Sequence, residues 1–259
     1  VDQGAACFGY ESLHWHLAAC REKKHISSGE SASQPLPQYA RSAAQASFGK
    51  NFPEKMPASK SSATVPKGWP SNIVYLHSPV LSKKLSADMI SRLSTVRSDL
   101  QPDTQVWKTN GPHSNVRITA VADVAHPAHG QHALYATQHL PPDTFILPYL
   151  GYVHDQTDID QASDYDLSLD RELGIGVDAF RMGNEARFIN DYRGVFAVPN
   201  AEFRDILVDV GAGRVEKRVG VFVLSAGKSG KRAKGIGRGQ EILVSYGKGF
   251  WSERQSTQE

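Results

Sequence analysis

"GNEARFINDYRG", residues 183–194, is the stretch on which the reading of this chain turns. It sets Arg187-Phe188-Ile189-Asn190 between a Gly-Asn turn and an Asp-Tyr-Arg-Gly turn, with no room for a full helix or a long strand. Segments that short and that mixed sit where backbone approaches something closely. Taken alone, Asn190 reads as a turn residue ending a short helix.

Outward from that stretch the pattern is β. From about residue 113, "NVRITAV", "HALYAT", "TFILPYLGYV", "YDLSLD", "GIGVDAF", "AEFRDILVDV", "RVGVFVLSA" and "EILVSYG" are each strand-like. Turn signals recur between them (HPAHG, LPPD, VGAGR, GKSGKRAKG). Many short strands with little helix predict a mainly β fold rather than alternating βαβ units. Upstream, "LSADMISRLSTVRSDL", 85–100, predicts a helix with Leu85, Met89, Leu93, Val96 and Leu100 on one stripe. Ser86 can cap it and Pro102 bars continuation. Residues 1–64, rich in Ser, Ala, Pro and Lys, cannot bury enough apolar surface to offset their ordering entropy, apart from a short helix near "ESLHWHLAAC". The expected organisation is a loosely ordered N-terminal region over 1–64, a helical lead-in over 65–112, the β domain over 113–252 and a tail over 253–259.

Of 259 residues, 22% are charged, for a net charge of +2, which neither demands nor excludes a nucleic-acid partner. The longest apolar runs, around "TFILPY" and "VGVFVLSA", are too short to span a bilayer, so no membrane partner is expected. No charged segment precedes an apolar run at the start, so no secretory signal is visible, and the expected compartment is nucleus or cytoplasm. Cys7 and Cys20 are the only cysteines, with His14, His16 and His25 nearby, and their spacing fits none of the usual zinc patterns. No metal is expected.

"ILVDVGAGR", 206–214, looks like the first motif of Rossmann-type methyltransferases, a strand opening into a Gly-rich loop. That loop needs a following helix so that backbone N–H groups can meet the ligand. Here "VEKRVGVFVLSA" follows and alternates like a strand. A β-hairpin turning at Gly211-Ala212-Gly213-Arg214 is the better reading.

"VDAFRMGNEARFIND", "PNAEF" and "GQEILVSYGKGFW" together resemble the SET-domain protein-lysine methyltransferases, in which an "RFINHS" element and a later "GEEL...DYG" element cross in a knotted active centre. "HGQHALYATQHLPPDTFILPYLGYV" is similar to that family's first block, and "DYDLSLDRELGIGVDA" to its paired strands. The four blocks stand in the right order from about 115 to 252. The resemblance implies a SET-like β-clip fold of small twisted sheets, with S-adenosyl-L-methionine as cofactor and a lysine of a histone or other chromatin or non-chromatin protein as substrate. It places Gly130, Gln131, His132, Ala133, Leu134, Arg187, Phe188, Asn190, Asp191, Tyr246 and Trp251 at the cofactor, although Arg187 suits backbone carbonyls better than substrate. Phe188 and Ile189 would pack in the core. Tyr246 matches the catalytic tyrosine, with Tyr165 as a second candidate. Tyr149, Val244 and Phe250 would line the substrate channel, with plain core packing as the alternative for the tyrosines.

Several positions depart from the family's pattern. Asp191-Tyr192-Arg193 replaces His-Ser-Cys, Gln131-His132-Ala133 stands where Gly-x-Gly is expected, and Ser245 precedes Tyr246 in place of Asp. A methyl at Ala133 would crowd the bound methionine moiety unless Gly130 takes the glycine's place. These departures keep a second function open, a catalytically silent SET-like module that binds a protein partner. The basic insert "GKSGKRAKGIGRGQ", 227–240, reads as a solvated loop, with a weak nucleic-acid or acidic-partner contact as the alternative.

Overall fold

The computed structural model describes residues 65–247 apart from 229, 231 and 233. Cys7, Cys20, the helix expected near "ESLHWHLAAC", Phe250 and Trp251 lie outside the described residues. The lead-in carries the short strands β1 (Val74–Tyr75), β2 (Val80–Leu81), β3 (Ser94–Val96) and β4 (Val106–Trp107), with helix α1 (Ala87–Arg92) between the second and third. Then come β5 (Val116–Ala120), β6 (His132–Ala136), β7 (Phe145–Tyr149), β8 (Tyr152–His154), β9 (Asp166–Asp170) and β10 (Ile175–Asp178). β11 (Met182–Gly183) and β12 (Asn190–Asp191) bracket a 3-10 turn at Glu185–Phe188. The chain continues through β13 (Ala201–Gly211), β14 (Arg214–Val223) and β15 (Leu243–Val244).

β13 and β14 form the long hairpin read from "ILVDVGAGR", pairing antiparallel from Ala201↔Val223 to Gly211↔Arg214. Its turn holds Gly211, Ala212 and Gly213 at φ 86°, 53° and 70°, the left-handed backbone that a tight hairpin turn demands. β14 also receives β3 along Arg214–Glu216 and β7 along Val219–Phe222, so it is the spine of a five-stranded sheet. A second sheet runs β2-β8-β10-β9, and β5 pairs with β6. The named parallel pairings, β1–β11, β2–β8, β4–β13 and β12–β15, join two residues each. The architecture is the mainly β arrangement of small sheets expected from the alternating segments, with no open parallel sheet around Gly211.

The helix expected over 85–100 is a correction. It covers Ala87–Arg92 alone, capped by the Ser86 hydroxyl accepting from the Met89 N–H at 3.2 Å. Ser94–Val96 instead pairs antiparallel with Arg214–Glu216. The free edge of β14 claims this segment, whose β-branched Thr95 and Val96 suit a strand, and tertiary pairing overrides the helical stripe. The helical lead-in is therefore one short α-helix and a 3-10 turn at Arg97–Asp99 among four strands. Leu85 and Leu93 are buried as the stripe requires, whereas Val96 is 44% exposed.

The main core gathers Leu134 and Ala136 of β6, Leu147 and Tyr149 of β7, Ile175 and Val177 of β10, and Val219, Val221 and Val223 of β14. Phe188 and Ile189 belong to it. Behind it lies a buried charge pair: His154 Nε2 meets Asp166 Oδ1 at 3.1 Å, and His154 Nδ1 meets the Asp155 carbonyl at 2.9 Å. Burial alone lowers the His154 pKa, but the Asp166 carboxylate and the Asp155 carbonyl outweigh it and raise it to about 8. The folded value lies above the unfolded one, near 6.5, so this stabilisation is fully present below about pH 6.5 and is lost as pH rises through 8. Over that window about 2 kcal/mol of stability disappears. Urea midpoints measured from pH 6 to 9 check this, and His154→Asn removes that part of the slope.

Candidate active site

Three short pieces of backbone meet beside the core. β12 and β15 lie parallel, with Asn190 opposite Leu243 and Asp191 opposite Val244. The segment leading into β15 runs along β6: the Ile242 N–H donates to the Leu134 carbonyl at 2.8 Å and the Ala136 N–H to the Gln240 carbonyl at 2.9 Å. The 3-10 turn before β12 is fixed by Asn184, whose amide donates to the Pro148 carbonyl at 2.8 Å and accepts from the Leu150 N–H at 3.1 Å. The Gly-Asn pair thus plugs the "RFIN" strip into β7, and the mixed character of residues 183–194 follows: each residue faces a different neighbour.

Tyr246 follows β15 and folds back over β12. Its hydroxyl donates to the Ile189 carbonyl at 2.7 Å, and its N–H donates to Asp191 Oδ2 at 2.8 Å. The Tyr192 N–H returns a bond to the Val244 carbonyl at 3.0 Å. Burial pushes the Tyr246 phenol far above its ordinary range, with Tyr165, Asp191 and Glu241 adding to the effect and Arg187 opposing it. Burial likewise pushes Tyr149 well up, with Asp178 and then Tyr246 contributing. Tyr149 donates to the Tyr165 carbonyl at 2.6 Å. Tyr149, Tyr165 and Tyr246 therefore form one cluster of phenols at the core, and burial keeps those of Tyr149 and Tyr246 protonated.

Arg187 is taken up by backbone: its Nε donates to the Ala179 carbonyl at 2.9 Å and its Nη2 to the Phe180 carbonyl at 3.2 Å. Its guanidinium lies 4.4 Å from the Tyr165 ring centroid and 4.9 Å from that of Phe188. Asp191 is buried, and its carboxylate accepts from the Arg193 N–H and Nη1 at 2.9 and 2.8 Å as well as from Tyr246. Val244 is fully buried in the core.

At the entrance to β6, Gly130 and Gln131 are exposed, and Gly130 has φ 80° with no atom within 4 Å of where a Cβ would stand. His132 packs its ring 5.6 Å from Phe188. Ala133 and Leu134 are fully buried, Leu134 in the main core and Ala133 against Val121 and Ala128. Neighbours along a strand face opposite sides, so the Ala133 methyl points into this small cluster, away from the face carrying His132 and Leu134.

Asn190 ties these pieces together. Its Nδ2 donates to Glu241 Oε1 at 2.9 Å and reaches the His132 carbonyl at 3.4 Å. Glu241 was not singled out from sequence, nor was His126, whose Nε2 lies 3.0 Å from Glu241 Oε2. The available signal was an acid at the start of the otherwise apolar strand "EILV".

No family model matches the chain, and no curated protein matches it. Solved structures do. One is KRYPTONITE in complex with mCHH DNA, an H3(1-15) peptide and SAH, at 18% identity and TM-score 0.43 over 68% of this chain and 42% of that one. A second is ctPRC2 in an autoinhibited conformation bound to S-adenosylmethionine, at 19% identity and TM-score 0.39 over 56% of this chain and 17% of that one. A third is the Chaetomium thermophilum Polycomb Repressive Complex 2 bound to GSK126, at 18% identity and TM-score 0.38 over 56% and 18%. The chain spans between 17% and 42% of the length of these three.

Proposed function

We propose that this chain is a SET-domain protein-lysine N-methyltransferase that uses S-adenosyl-L-methionine, with the catalytic domain over 113–252. The observation that supports it most is the side-by-side pairing of the Asn190 and Tyr246 strips, sealed by the Tyr246 hydroxyl on the Ile189 carbonyl. Two separate blocks of the family's pattern meet there at the positions the resemblance assigns to the cofactor and the reacting amine.

The residues fit that cofactor. With its amide nitrogen held by Glu241 and His132, Asn190 turns Oδ1 the other way, and that oxygen suits the ammonium of a methionine moiety. Gly130 and Gln131 are exposed just ahead of the His132 carbonyl that Asn190 reaches. When bound, S-adenosyl-L-methionine supplies a methyl group on a sulfonium, open to direct displacement by an amine. The chain's own part is positioning. An amine of ordinary pKa about 10.4 must lose its proton before it can attack, and an enclosed, largely apolar channel disfavours the ammonium. Burial keeps the phenols of Tyr149 and Tyr246 neutral, so they orient the amine lone pair without adding charge, with Tyr165 beside them. Holding nitrogen in line with the methyl carbon supplies much of the rate.

The substrate class is a protein lysine, on a histone or another protein. The exposed Lys228, Arg232, Lys234 and Arg238 stand on the loop before β15 and suit weak contact with a nucleic-acid backbone. Incubation with radiolabelled cofactor, core histones and a cell extract tests the main reading: label on protein lysine supports it. Absence of transfer together with absence of cofactor binding favours the silent interaction module. Passage of the same protein over immobilised duplex DNA at rising salt tests the loop, with retention expected to fall steeply.

A further inference from the structure

We propose that His126 and Glu241 are positioning residues, a buried pair that fixes which way the Asn190 amide faces. The proposal rests on the methyltransferase reading above. Glu241 uses its two carboxylate oxygens on different partners, Oε1 accepting from Asn190 Nδ2 at 2.9 Å and Oε2 from His126 Nε2 at 3.0 Å. The His126 and Glu241 side chains are 9% and 8% exposed. The backbone N–H of Ala128 donates to His126 Nδ1 at 3.0 Å, so Nδ1 must offer its lone pair and the proton sits on Nε2, aimed at Glu241. Three donors and acceptors are thus set in series, from the loop that carries Gly130 to the amide of Asn190.

Without that series the amide is poorly defined. An Asn side chain has a donor arm and an acceptor arm of nearly equal shape, and its direction is set only by what it bonds. The other contact of Asn190 Nδ2, to the His132 carbonyl at 3.4 Å, is long and weak. A carboxylate accepts only, so Glu241 forces the nitrogen arm inward and leaves Oδ1 outward for a cationic ligand. The Glu241 carboxylate is not required to hold its own strand. Its backbone carbonyl is already bonded by Asn200 Nδ2 at 2.8 Å, and the next residue by Leu134. Its burial beside Asn190 also places a negative charge near a ligand that carries a sulfonium and an ammonium.

Three variants of the full chain, each checked for a folded thermal transition, test the proposal: Glu241→Gln, His126→Leu and His126→Gln. The readouts are the dissociation constant for S-adenosyl-L-methionine by calorimetry and the split between cofactor KM and kcat. Glu241→Gln keeps the shape but presents one acceptor and one donor, and His126→Leu removes the donor. Each is expected to weaken cofactor binding about tenfold or more, mainly in KM. His126→Gln retains an N–H for Glu241 and should bind within about threefold of the original chain. Equal binding by Glu241→Gln, His126→Leu and the original chain overturns the proposal alone. So does an equal loss in His126→Leu and His126→Gln, which would mark the site as packing. If Glu241→Gln does not fold, the two His126 variants decide. An original chain that binds no cofactor overturns both this proposal and the methyltransferase reading.

Discussion

Tyr246→Phe is expected to lower methyl transfer by about 100-fold or more while the chain stays folded. The hydroxyl is the only atom removed. The ring remains packed against the core, and the main-chain bond from Tyr246 N–H to Asp191 is untouched. The lost phenol leaves the Ile189 carbonyl without its 2.7 Å donor, at a cost of about 1 kcal/mol of stability. Catalysis loses more. The phenol's oxygen is the one polar group of the β15 strip brought to the Asn190 strip by a side chain that burial keeps protonated. Label transfer and thermal unfolding measured on one preparation separate the two effects. Undiminished transfer by the Phe variant would remove Tyr246 from the reaction.

Gly151→Ala should be strongly damaging, lowering stability by about 3 kcal/mol. Gly151 lies between β7 and β8, where a Cβ would stand 2.6 Å from the Asp178 carbonyl carbon, 3.0 Å from the Ala179 nitrogen and against the Asp178 carbonyl oxygen. These atoms are backbone, and Asp178 is held on β10 by its pairing with Tyr152 on β8. Nothing there can turn aside as a side chain would. The same strain moves Ala179, whose carbonyl receives Arg187, so the "RFIN" strip shifts with it. Urea unfolding of the single variant measures the loss. A midpoint unchanged from the original chain contradicts it.

The β segments were legible because period-2 alternation survives wherever one face of a strand is buried, as in Ala201–Gly211. The hairpin turn was legible too, since Gly-Ala-Gly-Arg supplies positive φ where two strands of matching length flank it. The helix over 85–100 misled because an apolar stripe records which residues are buried and not which neighbour buries them. The β14 edge takes Ser94–Val96, and no local signal announces that edge. The meeting of Asn190 with Tyr246 was readable only through the resemblance: 55 residues separate Asp191 from its Tyr246 partner, and no periodicity spans that gap. Glu241 and His126 escaped for a related reason. A lone acid at a strand start and a His in "HPAHG" look like solvated groups until the fold places them 3.0 Å apart.

Asn200 closes both feet of the connection that carries the basic residues. Its carbonyl accepts from the Leu224 N–H at 2.9 Å, while its side chain donates to the Glu241 carbonyl and accepts from the Leu243 N–H, each at 2.8 Å. Midway along, Ile236 is clasped to Leu140 by two main-chain bonds of 2.8 and 2.9 Å. Just before that clasp the Lys234 carbonyl accepts from His139 Nε2 at 2.7 Å, so the exposed Lys228, Arg232 and Lys234 stand outside a connection that is tied down on both sides. Growth there is cheap for the fold, since doubling a loop's length costs only about 0.6 kcal/mol in closure entropy. A change of length or charge there would alter what this surface docks against while leaving the bonds of Asn200 and Ile236 in place.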